Sequence, residues 1–496
     1  MKNIQRRDFL KLSAVTALYT LGTTKLEAAD DTTSYKAIVV VFHAGGNDSL
    51  NMFVPSSSDA KSGYQNYANI RSNIKVSDKE LQLPLDSNSN LDLSNGNPYN
   101  IDGNLSTAYT SGFYKHSGFD VATNALMPEL AHLIDRGKVA IVANCGNMIM
   151  PTTKAEYANG SKPKPPFLFA HNHQTKLTLS GEASSLNFSG WAGRVSDKWE
   201  SVNNGNIYGL NISLSGITHI FDADITSPLM INPNGPSKYH KIESSGNKRR
   251  DMYDDFLNLQ RRDMFTNLYN KVRKHSFDMQ DTVVDDWQNN APDFSSLQNA
   301  YGEQLFSKPT NNQLQQKPPT YASTSLLNGF SGVAKLAKIG KDAGLHRQIF
   351  YINDGGYDTH NNQTKQHSRK LRGISMAMGD FYKALEYMGM ENEVTVVSCS
   401  EFGRSTGENG DGTDHAWGGS YFVMGGAVKG GLYGTMPDLT LGSDDDMTRK
   451  GRLIPTTSFT QYFATVMKWF GADDNTLDQI FPELKNFTKK DLGFMS

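Results

Sequence analysis

The stretch "KAIVVVFHAGGNDSLN", residues 36 to 51, decides the fold. It opens with a continuous run of β-branched and aromatic residues, Ile38 to Phe42, without the polar alternation of a strand that has one face in water. Continuous apolarity is the mark of a strand covered on both faces. The run stops at His43, and the next residues are small, polar or acidic: Gly45, Gly46, Asn47 and Asp48. A buried strand that ends in such a loop is half of a βα unit, in a sheet whose ligands gather beyond the carboxyl ends of the strands.

Working outward, the same pattern recurs three times: "KVAIVAN" (138–144), "RQIFYI" (347–352) and "EVTVVS" (393–398). Helical periodicity lies among them. "MPELAHLIDRG" ends at Gly137, Ile374 to Met388 keep a three-four apolar spacing, and Ser458 caps a segment carrying Phe459, Tyr462, Phe463, Val466 and Phe470. The expected fold is α/β, a mostly parallel central sheet with helices on both faces. Two regions interrupt it. Residues 55–120 are rich in Ser, Asn, Gly and Tyr, and read as an irregular insertion. Residues 197–325 begin with polar strands and carry the charged segment "NKRRDMYDDFLNLQRRDMFTNLYNKVRKHSF", with Met252, Phe256, Leu259, Leu268 and Val272 on one apolar face. This second insertion is expected to cap a site or to present a surface to a partner.

The first 29 residues place Arg6 and Arg7 ahead of Phe9 and Leu10, then a mild apolar stretch, then Ala28 and Ala29. That order reads as a twin-arginine signal, with export to the periplasm or the medium. No segment approaches the run of about twenty apolar residues needed to span a bilayer, so the expected mature protein is soluble, without a permanent membrane anchor. Removing residues 1–29 takes the formal net charge from −2 to −5. Such a surface gives no electrostatic footprint for nucleic acid. Cys145 and Cys399, the only cysteines, each close an apolar run and read as small core residues.

The loops after the buried strands repeat one set of residue types. His43, Asn47 and Asp48 follow the first strand, Asp354, Asp358 and His360 the third, and Glu401, Arg404, Glu408, Asp414 and His415 the fourth. Carboxylates and imidazoles at neighbouring strand ends converge in space, and such a mixed set suits zinc, manganese, magnesium or calcium. Singly, the pieces have plainer readings: "GGND" is a tight turn and Asp414-His415 a loop pair. Their joint occurrence argues for a metal site.

"VVVFHAGGNDSLNMFVP", "SGWAGR", "GGYDTHNNQ" and "SEFGRSTGENGDGTDHAWGG" with "GGAVKGGLYG", in that order, resemble the twin-arginine-exported proteins of domain-of-unknown-function family 1501. That family is placed in the alkaline-phosphatase and sulfatase superfamily, so the resemblance implies an alkaline-phosphatase-like fold. It implies metal ligands at Asp48, Asp358, His360, Glu401 and His415, with Asp414 beside the last. Where the superfamily has an Asp-His pair this chain has Glu401-Phe402, which leaves a set suited to a single metal. The nucleophile that opens a helix in the superfamily aligns with His171 in "FLFAHNHQTKLTLSG" rather than with a hydroxyl. His171 then serves as nucleophile, general base or ligand, with His173 beside it; Thr175, Thr152 and Thr153 are the hydroxyls nearby. Arg404 is expected to bind an anionic oxygen through its planar fork. Two functions follow: an exported metal-dependent hydrolase of phosphate or sulfate esters, or a non-catalytic binding or assembly protein with an exported protein partner. In either case the ligand is a small anionic ester or another small molecule.

Overall fold

The computed structural model describes residues 33–94, 105–237, 248–259, 263–307 and 324–496. The export segment, and the side chains of Leu268 and Val272, lie outside the described residues. All four apolar runs form strands: Lys36–Ala44, Val139–Gly146, Arg347–Gly355 and Val394–Cys399. They belong to a nine-stranded sheet in the order Gly431–Tyr433, Val139–Gly146, Gly419–Met424, Val394–Cys399, Lys36–Ala44, Arg347–Gly355, Asn211–Ser213, Leu229–Met230, with Thr457–Ser458 also paired to Val139–Gly146. Lys36–Ala44 lies at the centre, parallel to both neighbours. Gly419–Met424 is the one antiparallel member.

Both faces are covered, which is why the strands need no polar alternation. On one face Val39, Val41, Phe350 and Val396 pack with Leu371, Ile374, Met378 and Phe381 of the helix Gln363–Met388. On the other, Ile38, Val40, Ile349 and Val397 pack with Trp191, Phe459, Phe463 and Phe470. The helix Phe459–Phe470 starts in a capping box made by Ser458 and Gln461, which satisfies donors that the first turn leaves unpaired. Cys145 and Cys399 are buried free thiols.

The insertions differ from their sequence reading. Within 55–120, the strand Phe113–Tyr114 joins Phe53–Pro55 and Val121–Asn124 in a small second sheet, and Arg71 is buried completely. Within 197–325, the short strands are not part of a cap: Asn211–Ser213 pairs in register with Ile349–Tyr351 and extends the central sheet. The charged segment forms two helices, Lys248–Asn258 and Met264–Asn289, the second capped by Asp263. Its apolar face is corrected too, because Met252, Phe256 and Leu259 are 72, 48 and 49% exposed while Leu257 is buried. Among the described residues no helix is long and apolar enough to cross a membrane.

Candidate functional site

Parallel register sets the site. His43 pairs with Asp354 and Phe42 with Cys399, so three strands end together and release their loops at one edge. The loops then lie on one another. Ala44 O accepts from both Gly356 N and Tyr357 N at 3.1 Å. Gly45 has φ +123°, and a Cβ there would come within 2.3 Å of Asp358 N, so only glycine lets the first loop lie against the third. Gly412 does the same for the opening of the hairpin Arg404–Glu408 with Thr413–His415: a Cβ there would meet His360 backbone at 2.4 Å.

Asp358 is the hub. Its Oδ1 lies 3.1 Å from His415 Nε2 and 3.1 Å from His360 Nε2, and its Oδ2 lies 3.5 Å from His171 Nε2. Arg404 donates to the same Oδ1. Burial works to raise the Asp358 pKa, but the hydrogen bonds from Arg404 and His415 hold it below the ordinary carboxylate value. His171 comes from the first turn of the helix His171–Ser180, which Asn147 ties to the sheet by bonds to Gln174 Oε1 (3.1 Å) and Thr178 Oγ1 (2.9 Å).

Each imidazole is oriented by its far nitrogen. His171 Nδ1 donates to Glu401 Oε1 (2.7 Å), and this bond more than offsets burial and raises the His171 pKa. His415 Nδ1 donates to Phe169 O (3.0 Å), while burial lowers the His415 pKa. His360 Nδ1 faces Asp414 Oδ1 at 3.4 Å. With the Nδ1 protons spent in this way, the Nε2 atoms of His171 and His415 both face the Asp358 carboxylate, where each can hold a proton or share a cation. When both Nε2 atoms are deprotonated, acceptors face acceptors and repel unless a cation lies between them. One atom each from His171, Asp358 and His415 falls within 4.8 Å of the others, the span of a shared cation.

A family model described as "Protein of unknown function (DUF1501)" matches residues 35–477. The chain belongs to the DUF1501 family. No curated protein matches it. Among solved structures this DUF1501 chain resembles a Bacteroides thetaiotaomicron protein of glycosaminoglycan metabolism (BT33494S-sulf), at 10% identity over 89% of this chain and 74% of that one, with a TM-score of 0.31. It also resembles the PsFucS1 sulfatase from Pseudoalteromonas sp., at 8% identity over 95 and 73% of the two chains, TM-score 0.25. A third is Ps i-CgsB in complex with k-i-k-neocarrahexaose, at 9% identity over 91 and 77%, TM-score 0.29.

The structure thus brings together Asp358, His360, His415, Glu401 and His171 of the DUF1501 chain, with Asp414 behind His360. It does not bring Asp48. That carboxylate faces away into a buried ion pair with Arg71 Nη1 (2.7 Å) and accepts from Gln363 Nε2, because the 55–120 insertion delivers a guanidinium to it. The Arg71 charge keeps Asp48 ionised against the cost of burial. Nor is Glu401 turned to the cluster: its carboxylate accepts from Gly45 N (2.8 Å), Ser400 Oγ (2.9 Å) and His171, so it positions an imidazole instead. Arg404 is also corrected. Its Nε donates to Gly46 O (2.9 Å), its Nη1 to Thr413 O (2.9 Å), and its Nη2 is shared among Gly45 O (3.0 Å), Tyr357 O (3.2 Å) and the Asp358 carboxylate; the side chain is 0% exposed, so the fork is turned into the loops and not toward an ester oxygen.

Asn47 and Asp354 join different, buried hydrogen bonds, and His43 packs its ring on Tyr357, centroids 4.7 Å apart. Asp354 accepts from Tyr357 Oη (2.7 Å) and Lys370 Nζ (2.9 Å), and Asn47 Oδ1 lies 2.8 Å from His367 Nε2. Burial drives the His43 pKa down to about 4, so its ring is neutral there. His173 stacks on Phe167, ring centroids 4.2 Å apart, and Thr175 bonds none of the cluster residues. Thr152 Oγ1 is spent on Met150 O (2.9 Å), and Thr153 caps the helix Lys154–Asn159. Sequence reading missed His367, Arg71 and Arg452. Arg452 Nε donates to His415 O at 3.0 Å. No motif flags any of the three, since each reaches the strand ends from a distant insertion, helix or loop.

Proposed function

We propose that this is an exported metal-dependent hydrolase of phosphate or sulfate esters on an alkaline-phosphatase-like scaffold. One observation carries the reading: the mutual approach of His171, Asp358 and His415, one ligand atom each, within 4.8 Å. Two imidazoles and a carboxylate suit a transition metal, and three protein ligands leave coordination positions open. The Glu401–His171 bond adds support, since ligating histidines pass their other N–H to a carboxylate or carbonyl. A divalent cation held there would polarise the ester oxygens and lower the pKa of an attacking water. Residues 1–29 support export, which delivers the protein to the periplasm or the medium.

The chain's own residues divide the remaining work. In this reading a water activated by the cation is the nucleophile, and among the described residues no Ser or Thr hydroxyl bonds to His171, Asp358, His360 or His415. His360, 42% exposed at its side chain, faces Asp414 with Nδ1 and lies with Nε2 2.9 Å from His415 Nε2, the position in this reading for passing a proton to the departing alcohol oxygen. Arg404 fixes Asp358 and joins three loops through their carbonyls.

The test is the metal content of the purified mature protein, joined to turnover of a panel of phosphate and sulfate monoesters and diesters. Metal and turnover should both disappear in Asp358→Asn and His415→Ala. Bound metal without turnover of any ester would favour the second reading, a non-catalytic binding or assembly protein. The exposed Met252, Phe256 and Phe265 on the charged helices favour that alternative.

A further inference from the structure

With the Arg404 guanidinium buried among loop carbonyls, a hydrolase of anionic esters needs another cation at the site. Arg452 is placed for that. It is half-buried at the cluster rim, its Nε donates to His415 O (3.0 Å), and its guanidinium lies over the Phe169 ring, 4.6 Å from the centroid. Nε is thus occupied, while neither Nη1 nor Nη2 has a hydrogen bond among the described residues. A guanidinium fixed by its Nε and by an aromatic face presents the Nη edge as a fork, the geometry that takes two oxygens of a phosphate or sulfate.

The loop that carries it is built to be rigid. Asp446, 1% exposed, accepts from the backbone N–H groups of Gly442, Thr448, Gly451 and Arg452 at 2.9–3.0 Å. Thr406 N bonds Gly451 O at 2.8 Å, which ties the loop to the hairpin that bears His415. The other contact of Arg452 is equally fixed. Phe169 has φ +72°, a conformation costly for a residue with a bulky side chain, and its carbonyl holds His415 Nδ1. Strain at that position makes sense if the ring must lie where it supports the guanidinium while the carbonyl orients a ligand. A second cation stands nearby, with Lys164 Nζ 4.0 Å from the centroid of the Tyr157 ring, while the Arg452 charge reaches both the Tyr157 phenol and the Asp414 carboxylate.

We propose that Arg452 is the residue that binds the anionic group of the substrate, a tetrahedral phosphate or sulfate, through Nη1 and Nη2. The assignment rests on the hydrolase reading, but it can stand or fall separately. Inorganic phosphate and sulfate are titrated calorimetrically into the mature chain, as purified and after chelation, for the wild type, Arg452→Ala and Arg452→Lys, with a melting curve for each. Arg452→Ala should weaken binding about tenfold or more, since hydrogen bonds to a charged group are lost. Arg452→Lys should keep the charge but lose the paired contact, and weaken binding about threefold or more. No uptake of either anion by the wild type, or equal uptake by a folded Arg452→Ala, would overturn the assignment. If Arg452→Ala does not fold, wild-type affinity in Arg452→Lys overturns it. Arg452-dependent binding that persists in chelated protein upholds it even if no metal is ever found.

Discussion

His171 Nδ1 and Glu401 Oε1 lie 2.7 Å apart although 230 residues separate them in the chain. Glu401 reaches no further, since its remaining contacts are with Gly45 N and Ser400 Oγ. It therefore fixes the ring that faces Asp358 rather than the space beside it. This makes the candidate metal centre dependent on a carboxylate that does not enter it.

Glu401→Gln should keep the fold and bind divalent metal about 10–100-fold more weakly, the usual cost of losing the partner that orients a ligating histidine. Asp358→Asn should remove metal altogether. Competition with a chromogenic chelator measures both. Equal affinity in Glu401→Gln would remove His171 from the ligand set.

In metal-free protein His171 should titrate above the ordinary histidine value of about 6.5, because its bond to Glu401 favours the protonated ring. The stabilisation from this pair is then fully present below that ordinary value and is lost as pH rises through the folded value. Proton and metal compete for the ring, so metal affinity should rise over the same interval. NMR titration of the imidazole, repeated in Glu401→Gln, reads the shift directly, and a titration point at or below the ordinary value would contradict the hydrogen bond.

Asp48→Ala separates a structural carboxylate from a ligand. It leaves the Arg71 guanidinium buried and unpaired by charge, a loss of about 3–5 kcal/mol for a buried pair broken on one side. The melting temperature should fall sharply while metal content per folded molecule stays unchanged. Loss of metal without loss of stability would return Asp48 to the site.

Chelation should lower the melting temperature of the metal-loaded protein, since a ligand at 100 times its Kd contributes about 2.7 kcal/mol to the folded state. Differential scanning calorimetry with and without chelator measures it. An unchanged curve would count against the shared cation.

Far from this site, Asp380 lies 4% exposed, and burial pushes its pKa up to about 8. An acid raised on folding takes up a proton between its unfolded and folded values, so it draws down stability as pH rises across that interval. Asp380→Asn keeps an acceptor for Phe306 N, which now bonds Oδ2 at 2.7 Å. The variant should be as stable as wild type at pH 4 and more stable at pH 8, measured by urea unfolding. A constant difference across pH would refute the shift.

Much of the architecture is legible in the chain. Continuous apolar runs marked four strands of the central sheet, and Ser458 marked the start of a helix, because hydrophobic period and cap chemistry are local properties. The site was legible in part. Asp358, His360 and His415 follow strands whose register was fixed by those same runs, so their convergence was foreseeable. Asp48 stood in an equivalent loop and was misjudged, because the residue that claims its carboxylate, Arg71, comes from an insertion with no readable period.

Amino-acid order alone determined the layered α/β sheet and the edge at which its loops emerge, since burial on both faces is written into each strand. Tertiary packing alone decided what each polar side chain does there. Asp48 met a guanidinium, Glu401 met an imidazole, Arg404 met four carbonyls, and Asp358 was left at the centre. A charged group takes its role from the partners within a few ångströms, and those partners come from hundreds of residues away.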